Sequence, residues 1–98
     1  MQQGQKSAGK RIIITVVGQD RIGIIAGVTN VLADARINIL DISQTIMQEF
    51  FTMILVADMT ESTVELGELK ERLAKKGEEL GVQILAQHED AFRYMHRI

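Results

Sequence analysis

The residues best placed to do chemistry lie in one short segment, Gly18 to Val28, between a β-branched run and an amphipathic stretch. A loop that leads from a strand into a helix presents the unpaired N–H groups of the helix and the positive end of its dipole, and together these attract a carboxylate or a phosphate. Asp20 adds a negative charge beside them. A zwitterion, with one charge of each sign, would suit both features.

Two elements must position this segment. Ile12 to Val17 is an unbroken β-branched run, which predicts a buried strand. After the segment, apolar residues recur at the spacing of one helix face: Ile24, Ile25, Val28, Val31, Leu32 and Ala35. The segment is therefore a tight strand-to-helix loop, and the simplest structural role for Asp20 is that of the helix N-cap. Capping and ligand contact can coexist at this residue.

The remaining patterns complete the order of elements. Asn38 to Met47 alternates apolar and polar residues, as in a strand with one buried face, and the turn Gln48-Glu49 joins it to the apolar strand Phe50 to Ala57. Ser62 to Glu65 fits a capping box, which predicts that a second helix starts there and ends at Gly81. Val82 to His88 predicts a fourth strand, and residues 91–96 a short helical tail. The order predicts an α+β, ferredoxin-like βαββαβ sandwich, with a four-stranded antiparallel sheet and two helices on one face.

Composition limits the class of protein. The chain has 98 residues, a net charge of −2 and no cysteine, which excludes disulfide and thiol chemistry and favours a cytoplasmic location. The charge gives no general attraction to nucleic acid or membrane lipid, and no apolar run approaches the roughly 18 residues of a membrane span. We expect residues 1–10 to be a flexible N-terminal tail, and residues 11–98 to be a single domain with a short C-terminal extension.

Catalytic and metal-binding patterns are weak. His88 and His96 lie near Glu89 and Asp90, but this spacing matches no zinc motif, so we predict no metal site and no cofactor. The common nucleophile, P-loop and dinucleotide motifs are lacking, so the chain is not expected to be an enzyme. Sheet-face RNA binding needs outward aromatic residues on the central strands, and the first strand has none.

The loop Gly18 to Ile25, followed by Arg36 to Ile42, resembles the ACT domain, a small amino-acid-binding regulatory module, through a D-R-x-G loop and an N-I strand entry. The resemblance covers residues 11–89. Ile42 to Met47, His88 to Asp90 and Met95 to Ile98 are similar to a stand-alone bacterial single-ACT group of the UPF0237 type.

The resemblance implies a homodimer that extends its sheet through the second strands and binds an amino acid or a similar zwitterion at that interface. It implies these ligand residues: Asp20, Ile22, Gly23, Ile24, Asn38 and Leu40. A separate, unidentified regulated protein would receive the signal.

Two alternative functions stay open at this point. One is a purely structural dimerisation or protein-interaction module, since ACT domains that serve only assembly are familiar. The remote one is an acylphosphatase-like hydrolase, which shares the fold and holds a phosphate with an arginine and an asparagine, of which Arg21 and Asn38 are reminiscent. Asp20 argues against it, because a carboxylate beside a desolvated phosphate at about 4 Å would cost several kcal/mol.

Overall fold

The structure of the protein is a computed structural model that describes residues 10–96, with side chains for residues 10–94. Its elements are β1 (Arg11–Gln19), α1 (Ile24–Asp34), β2 (Asn38–Met47), β3 (Phe50–Asp58), α2 (Leu66–Leu80), β4 (Val82–His88) and α3 (Glu89–His96). The predicted ferredoxin-like fold is confirmed. The predicted N-terminal tail, except Lys10, lies outside the described residues.

The four strands form one antiparallel sheet in the order β2-β3-β1-β4. Because β1 and β2 both pair with β3, they run parallel to each other. Asp58 pairs with Arg11 on one side and with Asn38 on the other, so β1 and β2 start at the same end of the sheet. We call this end the far end, and the opposite end, where β1 leads into α1, the loop end.

The core lies between the sheet and the helices α1 and α2. Alternate residues of the two central strands face the helices and are buried, as are the inward residues of α1 and α2: Ile12, Ile14, Val16, Phe51, Met53, Leu55, Ala57, Ile24, Val28, Leu32, Leu69 and Leu73. Burial of each large aliphatic side chain contributes about 1.5–3 kcal/mol. This confirms the predicted strand and helix face, although Ile25 remains 38% exposed at the margin.

The predicted burial of one face of β2 is wrong for the single chain. Every residue of β2 is exposed except Ile39, which is half-buried. A bulge at Leu40 shifts the register, so Ile42 and Ile46 lie opposite Leu55 and Phe51 on the helix side, yet they are 41% and 53% exposed. β2 is an edge strand, and the core formed by the other elements stops short of it.

The start of α2 also differs from the prediction. The helix begins at Leu66, with Glu65 as an N-cap that makes no side-chain capping bond. The Ser62 hydroxyl instead donates to the carbonyl of Val64 at 2.7 Å and accepts from the Val64 N–H at 3.1 Å, so it builds a local turn rather than a capping box. The end is as predicted, because Gly81 adopts φ +76° and donates its N–H to the carbonyl of Gly77.

The short helix α3 starts two residues earlier than predicted and contacts β1 and β4. On this side of the sheet, away from α1 and α2, Ile13 is buried at 7% exposure, and Phe92 of α3 is half-buried. Among the described residues, no helix has the length and apolarity that crossing a membrane requires.

Candidate functional site

The loop between β1 and α1 ends in a glycine that sets the direction of the helix. Gly23 is the N-cap of α1, with φ +94°, a left-handed conformation that favours glycine. The structural role predicted for Asp20 is therefore wrong, because Asp20 lies three residues earlier and no described side chain caps α1. The carboxylate of Asp20 is exposed.

The start of α1 has backbone donors but no capping acceptor. The bond from the Gly27 N–H to the Gly23 carbonyl, 2.8 Å, begins the helical ladder. The N–H groups of Ile24, Ile25 and Ala26 come before it, so they have no carbonyl partner within the helix. No acidic residue lies in the first turn. Ile24 as a whole is 2% exposed and belongs to the core, whereas Ile25 and Ala26, which follow it, are exposed.

The loop is attached on both sides. The Asp20 N–H donates to the carbonyl of Glu49 in the β2–β3 turn at 2.8 Å. The Arg21 guanidinium donates from Nη1 to the carbonyl of Leu80, the last residue of α2, at 3.0 Å. Arg21 is an exposed loop residue that also makes this specific contact with the end of α2. No local pattern signals this contact, because the partners are 59 residues apart.

Apolar side chains surround the loop on the surface. Ile22 is 99% exposed, and Val17, Met47 and Phe50 at the same end of the sheet are also exposed. A carboxylate and free amide donors thus lie within an apolar surface, an arrangement suited to a small ligand with charged and apolar parts.

The six predicted ligand residues do not meet within one chain. Asp20, Ile22, Gly23 and Ile24 lie together at the loop end, whereas Asn38 and Leu40 lie at the start of β2, at the far end. Asn38 is level with Arg11, and Arg11 to Gln19 spans about 27 Å at a rise of ~3.4 Å per residue.

The same separation affects the acylphosphatase alternative. Arg21 is at the loop end and contacts Leu80, while Asn38 is at the far end. The two residues therefore cannot hold one phosphate in a single chain. In the described part of the chain, no three His, Cys, Asp or Glu side chains are grouped so as to hold a metal ion.

A cleft of about 360 Å³ lies at the far end, between the start of β1 and the start of α2. Its polar lining includes Lys10, Thr60, Ser62, Glu65 and His88. The Thr60 hydroxyl donates a hydrogen bond to the Asp58 carboxylate at 2.7 Å, and the Ser62 hydroxyl donates to the Val64 carbonyl. These hydroxyls serve local turns, so the loop end remains the better candidate site.

The model of the ACT domain family matches residues 10–87 of the chain. A UPF0237 protein from Methanocaldococcus jannaschii is 56% identical over 88 residues, which are 90% of this chain and 98% of the relative. An ACT domain protein from Streptococcus pneumoniae has a similar structure, with a TM-score of 0.75, 38% identity, and coverage of 86% of this chain and 94% of that chain. The regulatory subunit of aspartate kinase from Thermus thermophilus shares the fold, with a TM-score of 0.62, 22% identity, and coverage of 81% and 51%.

Proposed function

Because the chain belongs to the ACT domain family, we propose that it is a regulatory module that binds an amino acid or a similar zwitterion and acts as a homodimer. The observation that carries this proposal is the uncapped start of α1 beside the exposed Asp20. The amide donors at the start of α1 and the carboxylate of Asp20 belong to the same short segment, and Asp20, Ile25 and Ala26 are exposed.

The two charged groups of an amino acid have separate partners in this arrangement. The N–H groups of the exposed residues Ile25 and Ala26 receive the α-carboxylate, which the positive end of the α1 dipole also favours. Asp20 accepts hydrogen bonds from the ammonium group. A hydrogen bond to a charged group contributes about 1.5–3 kcal/mol. The surrounding apolar surface then selects among ligand side chains.

The exposed β2 supports the homodimer. It is a ten-residue edge strand with apolar side chains on an uncovered surface, and proteins rarely leave such an edge unpaired. A second β2 can add to it antiparallel about a two-fold axis. Ile42, Gln44 and Ile46 share the helix side, opposite Leu55, Met53 and Phe51. Placing Gln44 on the axis sets Ile42 opposite the partner subunit's Ile46, which buries both pairs of isoleucines.

This pairing would also bring the two separated groups of predicted ligand residues together, one group from each subunit. Since the two β2 strands are antiparallel, the start of the partner's strand lies beside the β2–β3 turn, where Glu49 holds the Asp20 N–H. The partner subunit's Asn38 and the partner subunit's Leu40 then approach Asp20 and Gly23. Each site takes its loop from one copy and its second strand from the other, so ligand binding and dimerisation are coupled. A separate regulated protein would read the resulting change.

Thermal unfolding against the twenty amino acids tests the proposal. A ligand at 100 times its Kd adds about 2.7 kcal/mol, which raises the midpoint of so small a domain by roughly 10 °C or more. Subunit concentration must be fixed, and sedimentation should report the dimer. A selective shift with one amino acid supports the proposal. A stable dimer without any shift overturns amino-acid binding and favours the purely structural module.

A further inference from the structure

The turn between α2 and β4 packs directly against the segment that carries the candidate site. A Cβ added to Gly18, at the end of β1, would lie 2.7 Å from Cγ1 of Val82. A Cβ added to Gly27, in α1, would lie 2.9 Å from Cδ1 of Leu80. These approaches leave no room for a side chain at either glycine, so the strand and the helix on either side of the β1–α1 loop both lie against the turn Leu80-Gly81-Val82.

Arg21 adds a polar contact to the same turn. Its Nη1 donates to the Leu80 carbonyl, one of the carbonyls at the C-terminus of α2 that lack a helical partner. α2 has no basic residue in its last turn, so Arg21 supplies the positive charge that the negative end of this helix dipole favours. A Cβ on Gly81 would lie 2.8 Å from Arg21 Nη1, so glycine at this position also makes space for the guanidinium.

One of the two acids in the last turn of α2, Glu79, is already engaged by a lysine. Lys76 donates to the Glu79 carboxylate at 2.9 Å, and this bond and the lysine charge hold the pKa of Glu79 below its ordinary value. The contact that Arg21 makes with α2 is to the neutral carbonyl of Leu80, at an exposed position. A carboxylate that enters the loop competes well for the guanidinium, because guanidinium–carboxylate bonds are shorter and about twice as strong as neutral ones.

We propose that Arg21 selects ligands with a free carboxylate and reports their binding, by moving from the Leu80 carbonyl to the ligand carboxylate. This rests on the proposed binding of an amino acid at the loop. Departure of the guanidinium removes this donor from the Leu80 carbonyl, while the bond from Gly81 to Gly77 stays, and it loosens the last turn of α2. Occupancy of the loop is thereby reported at the α2–β4 turn, on the side of the loop opposite the β2–β3 turn.

Affinity measurements on variants test the selection. The probes are the amino acid with the largest shift in the thermal panel and its primary carboxamide. We expect Arg21→Ala to weaken binding of the amino acid on the order of tenfold, and to reduce the preference over the carboxamide. Arg36→Ala, which removes an exposed contact with Glu61 at 3.4 Å, is the matched control and should change nothing.

Amide hydrogen exchange tests whether ligand binding at the loop changes the α2–β4 turn. Saturation of the wild-type protein with the amino acid should accelerate exchange in residues 78–82. In Arg21→Ala these amides should exchange fast without ligand and should not respond to it. Equal affinity of wild type and Arg21→Ala, or unchanged exchange in the liganded wild type, overturns this proposal while amino-acid binding stands. If no amino acid binds wild type, the proposed function itself has failed. Arg21→Lys is the control for misfolding. It keeps a positive charge at this position, so it should retain part of the affinity for the amino acid.

Discussion

Arg11 contacts both carboxylate oxygens of Glu89: Nε lies 3.2 Å from Oε1, and Nη2 lies 2.8 Å from Oε2. The pair joins the first residue of β1 to the first residue of α3. Arg93 adds a contact of 3.1 Å to the same carboxylate. The Glu89 side chain is 11% exposed, so this ion pair is less screened by water than a surface pair.

Glu89→Gln should destabilise the protein by about 1–2 kcal/mol, between the values for exposed and buried ion pairs. It removes the charge that holds two arginines and leaves the shape of the side chain. Urea unfolding measures the change. Glu61→Gln is the control, because both partners of its pair with Arg36 are mostly exposed, at 76% and 66%. Equal losses in the two variants would show that burial of Glu89 has no special effect.

Gly18→Ala should destabilise the protein by about 1–3 kcal/mol, the usual cost of overpacking. The added methyl group would lie 2.7 Å from Val82 Cγ1 and 3.0 Å from Val82 Cα, where β1 and β4 pair. Gly67→Ala should instead raise the free energy of unfolding. A Cβ there meets nothing within 4 Å, and alanine favours the helix by up to about 1 kcal/mol. Thermal unfolding of both variants checks the signs, and a neutral Gly18→Ala would contradict the close approach.

Asp20→Ala should abolish the thermal shift caused by the bound amino acid and change the unliganded midpoint little. The reason is that Asp20 makes no capping hydrogen bond to α1, whose N-cap position is held by Gly23, so the carboxylate can be removed without loss of a helix cap. Asp34→Ala, at the other end of α1, is the control and should retain the shift. Full affinity in Asp20→Ala would remove this residue from the site.

A cysteine scan of β2 tests the dimer, since the native chain has no cysteine. If Gln44 lies on the two-fold axis, Gln44→Cys should form an intersubunit disulfide under mild oxidation. Ser43→Cys should not, because its nearest copy lies diagonally across the strands, beyond the Cα separation of about 7 Å that a disulfide spans. Cross-linking only through Ser43→Cys would show that Ser43, not Gln44, lies on the two-fold axis. Failure of both variants would contradict β2 pairing. Non-reducing electrophoresis distinguishes these results.

Local patterns in the sequence predicted most of the fold. The β-branched run Ile12 to Val17 and the apolar spacing from Ile24 identify β1 and α1, and Gly81 ends α2 as expected. The errors arose where two local patterns competed. Ser62 satisfied Val64 instead of the helix start, and the alternation in β2 indicated a strand but not what would cover it.

The site was less accessible to sequence reasoning, for two reasons. The Arg21 contact with Leu80 joins positions far apart in the chain, which no periodicity reveals. The separation of Asn38 from Asp20 does follow from the topology, because parallel β1 and β2 start at one end while the loop leaves from the other. A site that needs both therefore requires a second copy, an argument that the order of elements alone could have supplied.

The contact between Arg11 and Glu89, together with the pairing of Ile12 and His88, means that the polypeptide enters and leaves the sheet at neighbouring points. Domains with adjacent points of entry and exit tolerate circular permutation and insertion into a surface loop of another protein. The same fold can therefore be inserted into a surface loop of a larger protein without disrupting the fold of that protein. Closing the ends with a short linker and reopening the chain at the β2–β3 turn should yield a permuted protein that still folds.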